Sequence, residues 1–300
     1  MNSNLVIERE RKVIDSISDL YGYDSNIRHL LYIIIPAFII KYGVNYEKMI
    51  LDTFKNIKII SSNVKNDVVK AYFSSKPKMI NGNFVTVKFM VIQNYNKISL
   101  VDLLDNLVHE FNHAINSSIN EIKITKNYLY LRTGLTYRVY RKDNCSFVRK
   151  DKSYLLEEII NTKQTEDIIN IIKGFDSNNR SISNTIYAIN SETSHKYNSN
   201  SYYLEGYVCK RILENRTFIN TLEKLRICGE VYEIDRWFDD IIGKKDSYNE
   251  LIRLLNEVYD LEIEYSKRKI FKSITLGKIK DTSRNIMRIV DTFNNNVNLR

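Results

Sequence analysis

The stretch SLVDLLDNLVHEFNHAI, residues 99–115, decides how the rest of the chain is interpreted. Ser99 followed three positions later by Asp102 has the form of a capping box, so a helix is predicted to begin at Ser99. Apolar residues then recur every three or four positions, which is the spacing of one buried helix face. The members of this apolar stripe are Leu100, Leu104, Leu107, Val108, Phe111, Ile115 and Ile119.

Two histidines lie on the other side of this predicted helix. His109 and His113 enclose Glu110 in the pattern H-E-x-x-H, and they are two of the four histidines in the chain. Residues i and i+4 stand one above the other on a helix, so both imidazoles can bind one zinc ion at roughly 2.0–2.1 Å. Glu110 can then polarise a metal-bound water, which makes it the candidate catalytic residue. The alternative is two solvated histidines, on a polar face that also carries Asp102, Asn106 and Asn116.

The composition limits the choice of partner. With 300 residues and 43% hydrophobic content, the chain can form one large domain or two small ones. The net charge of +9 suggests a nucleic-acid partner, but the basic residues are spread along the chain and interleaved with acids. The richness in Asn, Ile, Lys and Tyr is typical of an AT-rich genome, so nucleic acid is not expected. The basic stretch 141–152 is predicted to be a solvated loop, with a subsite for acidic partners as the alternative.

The sequence also indicates a cellular location. The N-terminus has no apolar segment after a basic one, so no signal peptide is predicted. The longest apolar run, residues 30–40, is interrupted by Pro36 and is too short to span a bilayer, so it is predicted to be a buried helix. Cys145, Cys209 and Cys228 are odd in number and form no C-x-x-C pair, which is typical of reduced thiols. A cytoplasmic protein without membrane association is expected.

The order of the predicted elements is helices, a small sheet, then helices, which indicates an α+β fold with a mostly helical C-terminal half. Asn81-Gly82 is a hairpin signal, and period-two alternation predicts a strand over 85–92. Residues 67–73 are a possible strand, 127–148 have β character with a turn at Gly134, and 174–200 form a polar loop. Further helices are predicted over 5–20, 26–42, 46–56, 155–172, 202–214, 217–227, 230–242, 247–266 and 280–294.

This arrangement resembles the gluzincin branch of the zincin metallopeptidases over residues 84–172. The shared features are a strand, an H-E-x-x-H helix, a short β segment and a helix that begins near a glutamate. The stretch Leu-Glu-Glu-Ile-Ile-Asn at 156–161 is similar to the family's signature around its third zinc ligand. The resemblance implies Glu158 as that ligand, with Glu157 and Glu205 as alternatives. Thr162 stands where many members carry an acid that orients the first histidine, so Asn161, Thr162 or another side chain is expected to supply that contact.

The resemblance implies a zinc-dependent metallopeptidase that hydrolyses a peptide or protein substrate. It also implies a single zincin-like catalytic unit over 1–300. Within that unit, 1–98 would be an N-terminal subdomain with helices and an edge strand, and 99–300 would hold the active-site helix and a helical subdomain. One alternative is a zincin-like regulatory or binding protein that acts on a single protein partner, with little or no general proteolysis. The other is a basic helical protein in which the pentapeptide is a coincidence.

Three further expectations concern residues around the predicted site. In metallopeptidases of this kind a histidine or tyrosine stabilises the tetrahedral intermediate. The strand 85–92 is expected to form the upper edge of a cleft and to pair with an extended substrate, with an ordinary strand inside the sheet as the alternative. His29 is expected to be structural. The candidates for the stabilising residue are His195, Tyr137, Tyr202 and Tyr203.

Overall fold

The chain forms two small sheets and a largely helical C-terminal half, so the predicted α+β fold class is confirmed. The computed structural model describes residues 3–63, 70–150, 153–175, 180–192, 212–267 and 272–298. Contacts divide the chain into two units, Met1–Ser118 with Asn161–Ser199 and Ile119–Ile160 with Asn200–Arg300. The organisation as one catalytic unit over 1–300, with subdomains 1–98 and 99–300, stays a prediction.

The first unit begins with three helices. Asp24 caps the second of them by accepting a hydrogen bond from the Ile27 amide at 2.9 Å, which satisfies a main-chain donor that the helix itself leaves unpaired. The apolar run 30–39 that follows is buried, as predicted, although Pro36 lies inside the helix. The three helices are α1 (Ser3–Tyr21), α2 (Ser25–Tyr42) and α3 (Glu47–Lys55).

The first sheet has three strands, β1 (Lys58–Ser62), β2 (Ala71–Ile80) and β3 (Asn83–Gln93), in the order β1-β3-β2. β1 is parallel to β3, and β2 is antiparallel to it. Asn81 and Gly82 connect β2 to β3 with φ angles of 51° and 78°. Positive φ at both positions is what a tight two-residue hairpin turn requires, so the hairpin prediction is confirmed.

The strand predicted from residues 85–92 lies between β1 and β2 in the sheet order. β2 pairs with β3 over 83–92, whereas β1 pairs only with Phe89–Gln93. The second half of the predicted strand is therefore inside the sheet, and pairing of an extended substrate along its first half stays a prediction. β1 was not predicted, because its five residues are too short to show a period-two pattern in the sequence.

Helix α4 (Leu100–Ile115) follows the first sheet and begins where the sequence predicts. The Ser99 hydroxyl accepts a hydrogen bond from the Asp102 amide at 3.1 Å. The predicted apolar stripe is buried from Leu104 to Ile115, whereas Leu100 is half-buried and Ile119 lies beyond the end of the helix. The Phe111 ring stacks on Phe54 of α3 with 3.9 Å between ring centroids. Tertiary burial of this stripe fixes which side of α4 carries the histidines.

The second sheet is an antiparallel meander in the second unit. Its strands follow one another in the order β4-β5-β6-β7, so each pairs with its neighbour in the chain. Gly134 lies in the turn between β5 and β6 with a φ of +57°, as the turn prediction requires. The strands are β4 (Ile122–Ile124), β5 (Tyr128–Thr133), β6 (Thr136–Arg141) and β7 (Phe147–Lys150).

A buried ion pair fixes the turn between β5 and β6. The Glu157 carboxylate accepts hydrogen bonds from the Leu135 amide at 2.7 Å and from Nε of Arg226 at 2.9 Å. Arg132 is also fully buried and donates to the main-chain oxygens of Gly134 and Arg226 at 2.8 and 3.0 Å. Burial lowers the pKa of Arg132 to about 10, so its guanidinium still carries its charge at neutral pH.

The remaining described elements are helices. The division between the two units falls within α5, which is one uninterrupted helix. α6 lies in the stretch 174–200 that was predicted to be a polar loop, because Ile186 and Ile189 bury one side of an otherwise polar segment. The predicted helix over 202–214 lies mostly outside the described residues. These helices are α5 (Tyr154–Lys173), α6 (Arg180–Glu192), α7 (Arg216–Cys228), α8 (Ile234–Ile242), α9 (Ser247–Lys267) and α10 (Lys272–Asn298).

Three phenylalanines form the centre of the second unit's core. Phe238 of α8 stacks on Phe293 of α10 with 4.9 Å between ring centroids, and Phe218 of α7 meets Phe293 edge to face at 5.3 Å. All three side chains are fully buried. Such aromatic pairs contribute about 0.5–1.5 kcal/mol each beyond their buried area.

Among the described helices, no single one is both long and apolar enough to cross a bilayer. Ser25–Tyr42 and Val44–Lys55 reach that threshold only when taken together, and the chain bends by 117° between them.

Replacing Gly134 with alanine should strongly destabilise the protein. A Cβ at this position would lie 2.0 Å from Oε1 of Glu157, so the new methyl group must displace the buried carboxylate. Glu157 would then lose its geometry with Arg226, and breaking a buried ion pair costs about 3–5 kcal/mol. We expect a loss of about 3 kcal/mol or more in the free energy of unfolding, measured by urea titration with circular dichroism.

Gly82→Ala is the matched control for this measurement. Gly82 has a φ of +78°, but a Cβ there would meet nothing within 4 Å. Its replacement therefore adds only the strain of a left-handed backbone, about 1–2 kcal/mol. Equal losses in the two variants would contradict the proposed clash with Glu157.

Candidate metal centre

Two histidines of α4 and one glutamate of α5 form a group that could hold a metal ion. One ligand atom from each of His109, His113 and Glu158 lies within 4.8 Å of the others. His109 and His113 are 6% and 5% exposed, and Glu158 is half-buried. Two imidazole nitrogens and one carboxylate oxygen are a donor set of catalytic zinc sites, which keep a fourth position open. The structure brings together the three residues that were predicted as metal ligands.

The polar face of α4 is buried rather than solvated. Besides the two histidines, it carries Asn112 and Asn116, and neither amide is exposed. The alternative of two solvated histidines on a surface helix is therefore wrong. Its physical reason is that α5 packs against this face through polar side chains, which a search for apolar stripes does not detect.

Asn112 of α4 and Asn161 of α5 hold the two helices together. Nδ2 of Asn112 donates to Oδ1 of Asn161 at 2.8 Å, and Nδ2 of Asn161 donates to the main-chain oxygen of His109 at 3.0 Å. Both side chains are fully buried, where an unpaired amide would be costly. Glu158 precedes Asn161 by three residues on the same helix, so these bonds also fix the turn of α5 that carries it.

The contact extends to α2 through what we call the amide network, which comprises Tyr42, Asn112, Asn116, Asn161 and Gln164. The Tyr42 hydroxyl donates to Oδ1 of Asn112 and accepts from Nδ2 of Asn116 at 2.7 Å. Nδ2 of Asn112 also lies 3.2 Å from Oε1 of Gln164. Oδ1 of Asn116 is buried without a hydrogen-bond partner among the described residues, so the network is paired in most of its groups but not in all of them. The paired amides favour this packing of α2, α4 and α5, because another arrangement would leave them unsatisfied.

Glu110 is fixed from the opposite direction, by the first sheet. Its Oε2 accepts a hydrogen bond from the Phe73 amide at 2.6 Å, and the side chain is 7% exposed. Phe73 lies in β2, the strand at the edge of that sheet, so this donor points away from the pairing with β3. The bond fixes the orientation of the carboxylate of Glu110, a residue that lies between the two histidines in the sequence. Its predicted catalytic role stays a prediction.

The alternatives for the third ligand differ in their surroundings. The Glu157 carboxylate is engaged by Arg226 and by the Leu135 amide, and Glu157 does not belong to the metal group. Glu205 lies outside the described residues. His195, Tyr202 and Tyr203, the candidates for stabilising an intermediate, lie outside them as well.

The other residues that the sequence analysis considered are not in the metal group. Tyr137 lies in β6 of the second sheet. His29 is half-buried on α2, as expected for a structural histidine. Cys145 and Cys228 are half-buried, and Cys209 lies outside the described residues.

The buried asparagines were not predicted to hold the two helices together. Asn161 was considered as a contact for the first histidine, and its amide donates to the main-chain oxygen of His109 at 3.0 Å. The Thr162 hydroxyl is buried and has no hydrogen-bond partner among the described residues. A sequence signal was available: Asn112 and Asn116 lie three residues after each histidine, and so share its side of the helix.

Comparison with known proteins identified no relative: no family model, no curated protein and no solved structure matches the chain. The class of the protein is therefore defined by its fold and its candidate site. The chain is an α+β protein with a candidate metal centre of two histidines and one glutamate.

Replacing Asn161 with alanine should weaken both folding and metal binding. The change removes the two amide bonds to α4 and leaves buried partners unpaired, so we expect about 2 kcal/mol less stability. Loss of groups that orient metal ligands typically lowers metal affinity about 10–100-fold. Urea titration of the metal-free protein and competition with a chromophoric zinc chelator measure the two effects.

Asn170→Ala is the matched control, because Asn170 lies on the exposed side of the same helix. It should leave both stability and zinc affinity near the values of the unchanged protein. If Asn161→Ala lowers stability but binds zinc with unchanged affinity, the positioning role of Asn161 is contradicted.

Proposed function

We propose that the protein is a zinc-dependent metallopeptidase. The observation that carries the proposal is the group of His109, His113 and Glu158, whose ligand atoms lie within 4.8 Å of one another. Neutral imidazoles and a carboxylate fit zinc, and three such ligands leave a position for water. Glu110, one residue after the first histidine, supplies the acid–base group that this chemistry needs.

The donor set alone also fits ferrous iron, which uses two histidines and one carboxylate in oxygenases. The H-E-x-x-H spacing favours zinc hydrolysis, because it adds a glutamate beside the ligands on the same helix. A bound zinc ion would lower the pKa of its water to about 7 and would polarise the carbonyl of the substrate.

In this proposal Glu110 acts as general base and then as general acid. It takes a proton from the attacking water and passes that proton to the amide nitrogen that leaves. Because Oε2 accepts from the Phe73 amide, we assign the proton transfers to Oε1. The same hydrogen bond would hold the carboxylate in one orientation throughout the reaction.

The substrate in this proposal is a peptide or a protein, and the protein acts in the cytoplasm. The odd number of cysteines, with no C-x-x-C pair, supports a reducing compartment. One observation favours the narrower alternative of a zincin-like protein that acts on a single protein partner. His109, Glu110 and His113 are each no more than 7% exposed, which favours selective access over general proteolysis.

Elemental analysis of the purified protein tests the metal. We expect one zinc ion per chain in the unchanged protein and a loss of that zinc in His113→Ala, because two ligands cannot hold the ion in place. Iron in place of zinc, or the same metal content in both proteins, would contradict the proposal.

Replacing Glu110 with glutamine tests the mechanism. The amide keeps the shape of the side chain but cannot accept the proton, so zinc should be retained while hydrolysis falls by about 10²-fold or more. Cleavage of a broad peptide library, followed by mass spectrometry, measures the rate. Glu230→Gln, at an exposed position, is the control and should retain full activity. Zinc binding without cleavage of any library peptide by the unchanged protein would contradict general proteolysis and favour the single-partner alternative.

A further inference from the structure

We propose that the outer face of the second sheet binds single-stranded nucleic acid. This surface, which we call the tyrosine–arginine face, comprises Lys123, Tyr128, Tyr130, Tyr137, Arg141 and Arg149. Each of these residues belongs to one of the strands β4 to β7, and the proposal does not depend on the metal centre.

Strand register places these side chains on one side of the sheet. Lys123, Tyr130, Val139 and Arg149 form one row across all four strands, and Tyr128 pairs with Arg141 in the next row. Residues paired directly across antiparallel strands share a face, and side chains alternate along each strand. The opposite face is buried in its middle, at Leu129, Leu131 and Tyr140. On the tyrosine–arginine face Arg132 and Val139 are buried as well, and its exposed side chains are Lys123, Tyr128, Arg141 and Arg149.

The positive charge of the protein is concentrated in this sheet. Residues 119–150 contain eight Lys and Arg against two Asp and Glu, a net charge of +6 within a chain whose net charge is +9. The two acids, Glu121 and Asp143, lie outside the strands. Lys123, Arg141 and Arg149 are exposed. This segment therefore differs from the chain as a whole, whose interleaved basic and acidic residues were the reason that no nucleic-acid partner was expected.

Tyrosines lie between the cations on the same face. Tyr128 is 40% exposed, and Tyr130 and Tyr137 are half-buried with 5.5 Å between their ring centroids. Tyr232 extends this group, with its ring 6.1 Å from Tyr137 and with Nζ of Lys123 at 5.1 Å from its centroid. Aromatic rings on a sheet surface provide stacking platforms for unpaired bases, while neighbouring cations bind the phosphates.

The same features discriminate between polyanions. A duplex keeps its bases stacked inside and offers phosphates to the cations but no base faces to the tyrosines. A membrane surface takes up protruding aliphatic side chains, whereas the tyrosine–arginine face has hydroxyl-bearing rings and cations. A single strand offers both phosphates and base faces, so it is the partner that matches this surface.

Binding should be measured with the full-length protein and short fluorescent strands of oligo(dT) and oligo(U). Fluorescence anisotropy between about 50 and 200 mM salt gives the affinity and its salt dependence. Three phosphate contacts, from Lys123, Arg141 and Arg149, predict a slope of log affinity against log salt of about −2. A DNA duplex and phosphatidylserine vesicles serve as the competing anionic partners, and both should bind more weakly than the single strands.

Variants on the face separate stacking from charge. Tyr128→Ala should weaken binding about tenfold, and Tyr128→Phe should restore it because the ring is retained. Arg141→Glu and Arg149→Glu should each weaken binding about tenfold at low salt and make the salt slope shallower by about 0.7. Chelation of metal should change none of these values, so a failure of the proposed peptidase activity would leave this proposal intact.

Matched controls lie elsewhere on the surface. Tyr187→Ala on α6, at a 76% exposed tyrosine, and Arg284→Glu on α10, at a 70% exposed arginine, should leave the affinity unchanged within about twofold. A preference for oligo(U) or for oligo(dT) would support the proposal and assign it to RNA or to DNA. Equal losses in the controls, duplex binding as tight as single-strand binding, or binding to vesicles alone would overturn it.

Discussion

The reciprocal hydrogen bonds between Asn112 and Asn161 are the constraint on which the candidate metal centre depends. Both amides are fully buried, so each must find a partner, and the partner is on the facing helix. A slip of α5 by one residue would break the pair and would turn Glu158 by about 100° around the helix axis. The fixed register of α4 and α5 is therefore what keeps a carboxylate near the two histidines.

Helix α4 carries two candidate metal ligands and the proposed base. Different parts of the fold contact its different sides. Its apolar stripe packs on α3 through Phe111, and its Glu110 accepts a hydrogen bond from β2. Its asparagines bind α5 and Tyr42. Rigid elements that fix a side chain by packing and hydrogen bonds give a site its geometry before any ligand arrives.

Local features of the fold could be predicted from the sequence, and non-local ones could not. The start of α4 at Ser99 and the Asn81-Gly82 hairpin depend on neighbouring residues, so their signals are visible in short windows. The position of β3 between two other strands depends on β1, which is distant in the sequence and too short to show a period-two pattern. The buried asparagines were missed because asparagine is mostly a surface residue, and only tertiary packing shows that their partners are other amides.

Two adjacent glutamates at the start of α5 have divergent roles. Glu157 is engaged by the buried Arg226, while Glu158 joins the histidines in the metal group. Consecutive residues on a helix project about 100° apart, so neither carboxylate can stand in for the other by changing its rotamer. The two glutamates are chemically identical, but neither can replace the other. A shift of this helix by one residue would bring either Glu157 or Ile159 to the place of Glu158, so the site would lose its carboxylate or the buried arginine would lose its own.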